Sequence, residues 1–385
     1  MSEASDQRIP VVLVTGFLGS GKTTLVNRML KGAAYARAAV VVNEFGEVSV
    51  DHALLDAPPS RMRIVDAGCI CGHVHEEIAT SLLYLLERRE SCADSGFDRV
   101  LIETSGLADP VPIIQILLAD ADVSRAFELR SVVTVCDGVH GVAHLDAHAE
   151  SVKQAAVADV LVVSKGDVAD RDALSTLAQR LRGLNPGAAQ REAVRGDLDL
   201  ALLDRRGYSA TARTSDAQAW LADADYARRT PAAASDADIR SFTLTHDETI
   251  TVPGLVLWMN LLAGFRGAGL LRVKGIVNVE GRPYAVHAVQ TVLSEPVALD
   301  RWPDGHDRRS RLVFITRGIP EEQVRRTFAA LAFEGGRERR NMTIRPETYA
   351  RFKHTMEMFR EGAHASSKAA SIDGTSAAAT AAAHR

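Results

Sequence analysis

The sequence predicts an α/β protein in two parts, a larger unit with a mainly parallel sheet and a smaller α+β unit after it. Three observations carry this prediction. From residue 10 to about residue 184, short β-branched runs alternate with helical patterns, as in βαβ units. The centres of those runs are almost purely apolar, as strands buried on both faces should be. After Asp238 the order changes, with strands following one another between two helical stretches.

In the first unit, strands are expected at residues 11–15, 39–42, 63–65, 99–102, 131–135 and 160–163. In the second, Phe242 and Leu244 begin an alternation, strands follow at 271–279, 284–292 and 312–316, and helices are expected at 255–262 and 321–331. The 385 residues suit two domains and a tail. Residues 8–184 form the first unit, 185–238 an aperiodic connection of Ala, Asp, Arg and Thr, and 239–333 the second unit. Residues 334–385 read as a partly disordered extension, with a short helix at 346–360 before an Ala, Ser and Thr tail.

With 46% hydrophobic and 24% charged residues and a net charge of −4, the balance is that of a soluble globular protein with no evident nucleic-acid partner. The polar first residues do not read as a secretory signal, and the apolar runs fall far short of the roughly 20 residues a membrane helix needs. A cytoplasmic location with reduced thiols is therefore expected. Of the four cysteines, Cys92 and Cys136 read as plain small residues, and only the close pair Cys69 and Cys71 suggests chemistry.

Gly16-Phe17-Leu18-Gly19-Ser20-Gly21-Lys22-Thr23-Thr24 lies between an apolar strand and a helical pattern, and matches the P-loop of nucleoside-triphosphatases in full. Gly16, Gly19 and Gly21 let the backbone curl so that N–H groups, those of Ser20 and Thr24 among them, point at phosphate. Lys22 is expected on the β- and γ-phosphate oxygens and the Thr23 hydroxyl on Mg²⁺. The strand at 99–102 runs into Glu103-Thr104-Ser105-Gly106. Glu103 there can hold a Mg²⁺ water or orient the attacking water, and Gly106 can present its N–H to the γ-phosphate and sense its loss. Ser164-Lys165-Gly166-Asp167 follows the strand at 160–163 and resembles the Asn-Lys-x-Asp guanine reader of GTPases. Asp167 would accept from guanine N1 and N2, with the Lys165 stem over the ring. Ser164 replaces the usual Asn, which leaves open how the loop is braced and how strictly guanine is selected.

With these segments in order, the chain resembles the CobW family of P-loop GTPases, linked to cobalamin synthesis and to zinc and other metal chaperoning. The resemblance runs from about residue 10 to 331. Asn43-Glu44-Phe45-Gly46-Glu47 looks like the family's switch segment, and Arg272-Val273-Lys274-Gly275 and Leu312-Val313-Phe314-Ile315 are similar to its C-terminal domain. The family's metal motif is Cys-x-Cys-Cys; here Gly68-Cys69-Ile70-Cys71-Gly72 lacks the third cysteine, and the histidine-rich linker frequent in the family is absent.

Cys69 and Cys71 would point to one side of an extended segment, and thiolates favour Zn²⁺, Cu(I) or similar ions. His73 and His75 continue the alternation, but residues two apart on a strand lie about 6.6 Å from each other, so four such ligands converge only if the chain bends, as Gly72 permits. The other completion uses Glu44, a carboxylate that would move on γ-phosphate loss and couple hydrolysis to metal release. His140, His144 and His148 recur every fourth residue and would share a helical face as a transient metal patch or as ordinary surface histidines.

The leading reading is Mg²⁺-dependent GTP hydrolysis driving a metal-handling switch, with Lys22 and Glu103 as catalytic groups and a client metalloprotein implied by the resemblance. Its alternatives are a nucleotide-gated metal buffer and an ATP-dependent small-molecule kinase built on the same P-loop.

Overall fold

The computed structural model describes residues 8–44, 61–66, 73–91, 96–203, 239–264, 269–290, 292–293, 296–303 and 305–333. Expectations for Phe45, Gly46, Glu47, Cys69, Cys71, Cys92 and residues 204–238 and 334–385 lie outside these.

The first unit contains strands β1 Ile9–Thr15, β2 Ala38–Glu44, β3 Met62–Asp66, β4 Arg99–Thr104, β5 Phe127–Asp137, β6 Val160–Ser164 and β7 Ala189–Glu192. They pair in parallel in the order β3-β2-β4-β1-β5-β6-β7. Its helices are α1 Lys22–Lys31, α2 His73–Ser91, α3 Val111–Ala119, α4 Val123–Ala126, α5 Gly141–Ala147, α6 Ala149–Ala156 and α7 Arg171–Leu184.

Successive strand residues face opposite sides, so the apolar runs feed two cores. Val11, Leu13, Val41 and Ile102 pack with Ile78 and Leu82 of α2 and Ile114 of α3. Val12, Val14, Val40 and Leu101 pack on the other face with Leu25, Val26 and Met29 of α1. The strand order reverses at β1, with β4 on one side and β5 on the other, which opens a crevice at the carboxyl edge.

Each strand expected in the first unit is present and longer than its apolar run. The strand β7 was not expected: it falls in the stretch read as a connection. Only Ala189 of its four residues is buried, and it pairs with β6 alone, so no apolar run marks it. The first unit also continues to Leu203, which is buried in its core and whose carbonyl accepts from Ser131 Oγ.

The second unit contains β8 Ile239–His246, helix α8 Val252–Gly264, β9 Leu270–Val279, β10 Arg282–Val289, β11 Val292–Leu293, β12 Val297–Ala298, β13 Ser310–Arg317 and helix α9 Glu321–Thr327. The strands form an antiparallel sheet in the order β11-β10-β9-β13-β8, with β12 beside β10. The strand expected at 284–292 stops at Val289, because Gln290 adopts φ 51° and the chain turns back into β11. The helix expected at 321–331 gives way at Phe328 to a 3₁₀ turn ending at Ala332. Trp258 is fully buried against Phe314 and Phe328, and its Nε1 donates to Thr327 Oγ1 at 2.9 Å.

The two units meet through a shared apolar cluster that includes Leu161, Leu177, Ile239, Leu271 and Ile315. Beside it, buried Arg272 donates to the Asp159 carboxylate and to Val157 O, and Lys274 Nζ lies 3.4 Å from the same carboxylate. Among the described residues, no helix is long and apolar enough to cross a membrane.

Candidate functional site

The loop between β1 and α1 curls tightly. Gly16, Gly19 and Gly21 have φ of 144°, 67° and 95°. At Gly16 glycine is required twice over, because a Cβ there would stand 2.3 Å from Val135 O of β5. Gly21 caps α1, and Leu25 N donates to Gly21 O at 3.0 Å. Lys22 is buried at the first position of that helix, with Nζ donating to Phe17 O at 3.2 Å.

Two strand ends complete the phosphate side. Glu103 ends the apolar run of β4, is 2% exposed, and accepts from Thr23 Oγ1 at 2.7 Å. Thr104 Oγ1 donates to Thr15 Oγ1 at 2.8 Å, tying β4 to the start of the phosphate loop. Gly106 lies so close to that loop that a Cβ would be 2.6 Å from Leu18 N. The residue types expected at Mg²⁺ and γ-phosphate thus stand together.

On the other side of β1, the loop after β6 forms the base side. Ser164 Oγ donates to Ser20 O at 2.6 Å and lies 3.2 Å from Cys136 O. Serine therefore braces this loop against the phosphate loop, the contact left open by its replacement of Asn. Lys165 adopts φ 57°, a left-handed conformation, and its Nζ pairs with Asp137 Oδ2 at 2.7 Å. Burial raises the Asp137 carboxyl, but the Lys165 bond and the Val139 and His140 N–H groups outweigh it and hold the pKa below the ordinary value. Asp167 lies beside Arg195, whose Nε is 3.8 Å from its carboxylate. Lys165, Asp167, Arg195, Gly21, Thr24 and Ser164 line a cavity of about 400 Å³, large enough for a small organic ring system.

Asp137, Ala193 and Arg195 were not among the expected residues. Asp137 carries the same signal as Glu103, a carboxylate ending an apolar strand. Ala193 and Arg195 follow the edge strand β7, where the sequence offers only Gly196 as a turn marker.

The three histidines do stand in one row, with neighbouring ring centroids 6.0 and 6.2 Å apart. His140 and His148 flank the short α5 as its caps, with only His144 inside. The ring of Phe17 in the phosphate loop stacks on His148 at 4.3 Å and tilts against His144 at 4.7 Å. Burial, opposed by Asp137 and aided by His140 and His148, lowers the His144 pKa. Among the described residues, no three His, Cys, Asp or Glu side chains come together in a metal-holding arrangement. His73 and His75 open α2, so the extended alternation that would align them with the cysteines ends before His73. Cys136 is half-buried next to Asp137, and desolvation first, then that charge, pushes its thiol up to about 12, so it stays protonated.

Residues 10–191 match the model for the CobW/HypB/UreG nucleotide-binding domain, and residues 239–332 that for the cobalamin synthesis protein CobW C-terminal domain. The chain belongs to the CobW family of P-loop GTPases. Among its relatives, the zinc chaperone YjiA of Escherichia coli is 32% identical over 330 residues, covering 84% of this chain and 98% of that protein. The zinc chaperone CobW of Pseudomonas aeruginosa is 34% identical over 228 residues, covering 51% of this chain and 59% of that one. The crystal structure of Zn(II)-bound YjiA GTPase from E. coli superposes with a TM-score of 0.61 at 29% identity, covering 84% of this chain and 99% of that one. Both family domains are therefore present in the order seen in YjiA, and nucleoside-triphosphate hydrolysis is the activity that goes with them.

Proposed function

We propose that this CobW-family GTPase is a metallochaperone that binds GTP with Mg²⁺ and uses hydrolysis to change its hold on a transition-metal cargo, zinc by preference, for delivery to a client metalloprotein. The observation that carries the metal half of this reading is the register of β2, β3 and β4. Glu44 pairs with Asp66, and Asn43 pairs with Thr104 next to Glu103. Glu44, Asp66 and Thr104 thus end neighbouring strands at one sheet edge, and Cys69 follows Asp66 by three residues in sequence, which supports a metal segment close to the phosphate site. The names of the relatives YjiA and CobW, both zinc chaperones, support zinc as the cargo.

The all-oxygen pair of Thr23 hydroxyl and Glu103 carboxylate, 2.7 Å apart, suits Mg²⁺. Bound there, Mg²⁺ would neutralise charge on the β- and γ-phosphate oxygens. Lys22 exchanges Phe17 O for those oxygens, Glu103 orients the attacking water or a metal-bound water, and the Gly106 N–H meets the γ-phosphate. Asp167 accepts from guanine N1 and N2, exchanging Arg195 for the base, and the Lys165 stem, held by Asp137, covers the ring. Hydrolysis frees the Gly106 loop and the strand end bearing Glu44, which loosens one metal ligand while the two thiolates remain. Thiolate ligands and GTP together call for a reducing compartment, the cytoplasm.

Zinc titration of the full chain, with and without a non-hydrolysable GTP analogue and Mg²⁺, tests this reading against a Cys69→Ala, Cys71→Ala double variant. We expect tight zinc binding that needs both thiols and shifts at least about tenfold with the analogue, a coupling near 1.4 kcal/mol. Equal binding by parent and variant would remove the metal role from this segment and leave the GTPase without its cargo site.

A further inference from the structure

The phosphate-sensing loop is held from behind by a side chain that the nucleotide cannot touch. Gln154 lies on α6 and is 1% exposed. Its amide nitrogen donates to Gly106 O at 3.1 Å and to Ala108 O at 3.0 Å. A primary amide has two N–H donors, and both are spent on this one loop. The loop is itself a tight turn, with Ala108 N donating to Ser105 O at 3.1 Å. One residue earlier on α6, Lys153 forms an ion pair with Asp109, whose carboxylate also accepts from Val111 N at the start of α3. The backbone that carries Gln154 is fixed in turn, because its main-chain carbonyl accepts from Thr134 Oγ1 at 2.7 Å, and Thr134 pairs with Thr15 at the root of the phosphate loop.

The Gly106 turn is therefore gripped between two supports. The phosphate loop presses on it through Leu18, and α6 holds two of its carbonyls. The same α5 and α6 segment touches the phosphate loop a second time, through the His144 and His148 contacts with Phe17.

We propose that Gln154 is the positioning residue for γ-phosphate sensing: by fixing the carbonyls of Gly106 and Ala108 it sets the standing of the Gly106 peptide against the phosphate loop. The inference rests on the reading of Gly106 as the sensor given above. Without the clamp the turn has several conformations, and the one that meets a γ-phosphate must be selected at a cost that GDP never incurs. A buried amide replaced by an isosteric thioether leaves two carbonyls seeking water, so the loop moves while α6 keeps its packing.

The experiment compares full-length Gln154→Met and Gln154→Glu with the parent. It measures affinity for GDP and for a non-hydrolysable GTP analogue with Mg²⁺, single-turnover hydrolysis, and thermal unfolding. The expected result is GDP affinity within about twofold, analogue affinity and hydrolysis lower by about tenfold, and a larger loss for Glu, whose carboxylate repels both carbonyls. Equal losses for both nucleotides would mark Gln154 as a structural residue only, and no loss would overturn the inference.

A Gly106→Ala variant separates this from failure of the sensor reading. If it discriminates the analogue from GDP as the parent does, the sensor itself is wrong. If it loses discrimination and Gln154→Met keeps it, only the role of Gln154 falls. Hydrogen exchange over residues 105–109 of the parent needs no variant that folds. Protection that rises with the analogue and not with GDP supports the clamp, and identical exchange in the two complexes refutes it.

Discussion

Ser164 ties two loops with one hydroxyl because β6 and the phosphate loop end within its short reach. Although Ser164 lines the cavity, its proton goes to Ser20 O at 2.6 Å, so it supports the phosphate loop rather than reading the base. Asp167, at the cavity wall, has the opposite assignment. These positions separate two variants cleanly. Ser164→Ala should weaken GTP and ATP binding alike, by about tenfold, since one buried hydrogen bond contributes roughly 0.5–1.5 kcal/mol. Asp167→Ala should lower GTP affinity by about a hundredfold or more and leave ATP affinity unchanged, because it strips the acceptor that only guanine uses. Competition binding with both nucleotides checks each, and an equal loss for GTP and ATP in Asp167→Ala would argue against the base assignment.

The phosphate loop as an element depends on what surrounds it at each glycine. At Gly16 the carbonyl of Val135 occupies the place of a Cβ, at 2.3 Å, and φ is 144°. At Gly19 φ is 67°, but no atom lies within 4 Å of a Cβ. Gly16→Ala must therefore displace the loop from β5, and nucleotide binding should fall by at least about a hundredfold along with a lower thermal midpoint. Gly19→Ala meets only backbone strain, roughly 1–2 kcal/mol, and should fold and bind within about tenfold of the parent. Calorimetric titration with GDP and a thermal melt distinguish the two. The edge strand β7 has a related role: its single buried residue contributes little to the core, yet it delivers Ala193 and Arg195 to the cavity.

For the whole molecule, the joint between the units is charged and buried, and it should make stability depend on pH. Burial raises the Asp159 carboxyl, but Arg272, Lys274 and the Val132 N–H hold its pKa below the ordinary value. Burial, with Lys274 and Arg272 beside it and Asp159 opposing, places the His287 pKa well below 6.5. As pH falls below about 6.5, the unfolded chain takes up a proton at His287 while the folded chain does not, so the folded state loses stability. Urea unfolding should show an unfolding free energy that drops between pH 7.5 and pH 5, by at most about 1.4 kcal/mol per pH unit from this residue. His287→Gln should flatten that dependence in part, because His144 and His246 also have lowered pKa values. An unchanged slope in the variant would take the pH dependence away from this joint.

The sequence by itself determined the parallel sheet, the phosphate loop and the residues that end its strands. These are local matters: an apolar run buries itself on two faces, and glycines three and two residues apart bend a chain whatever lies around it. It also placed Glu103, Gly106 and Asp167, since a carboxylate or glycine at the end of an apolar strand reaches the carboxyl edge by topology alone. The tertiary structure decided which side chains support them. Ser164 with Ser20, Asp137 with Lys165, Gln154 with Gly106 and Arg272 with Asp159 are pairs far apart in sequence, and each depends on sheet order and on where a helix ends. The histidine spacing foretold a row of neighbouring rings, but that His144 and His148 of this row meet Phe17 of the phosphate loop is again a matter of tertiary structure. Periodicity is encoded in a few neighbouring residues, whereas partnership across loops exists only once the strands have set their register.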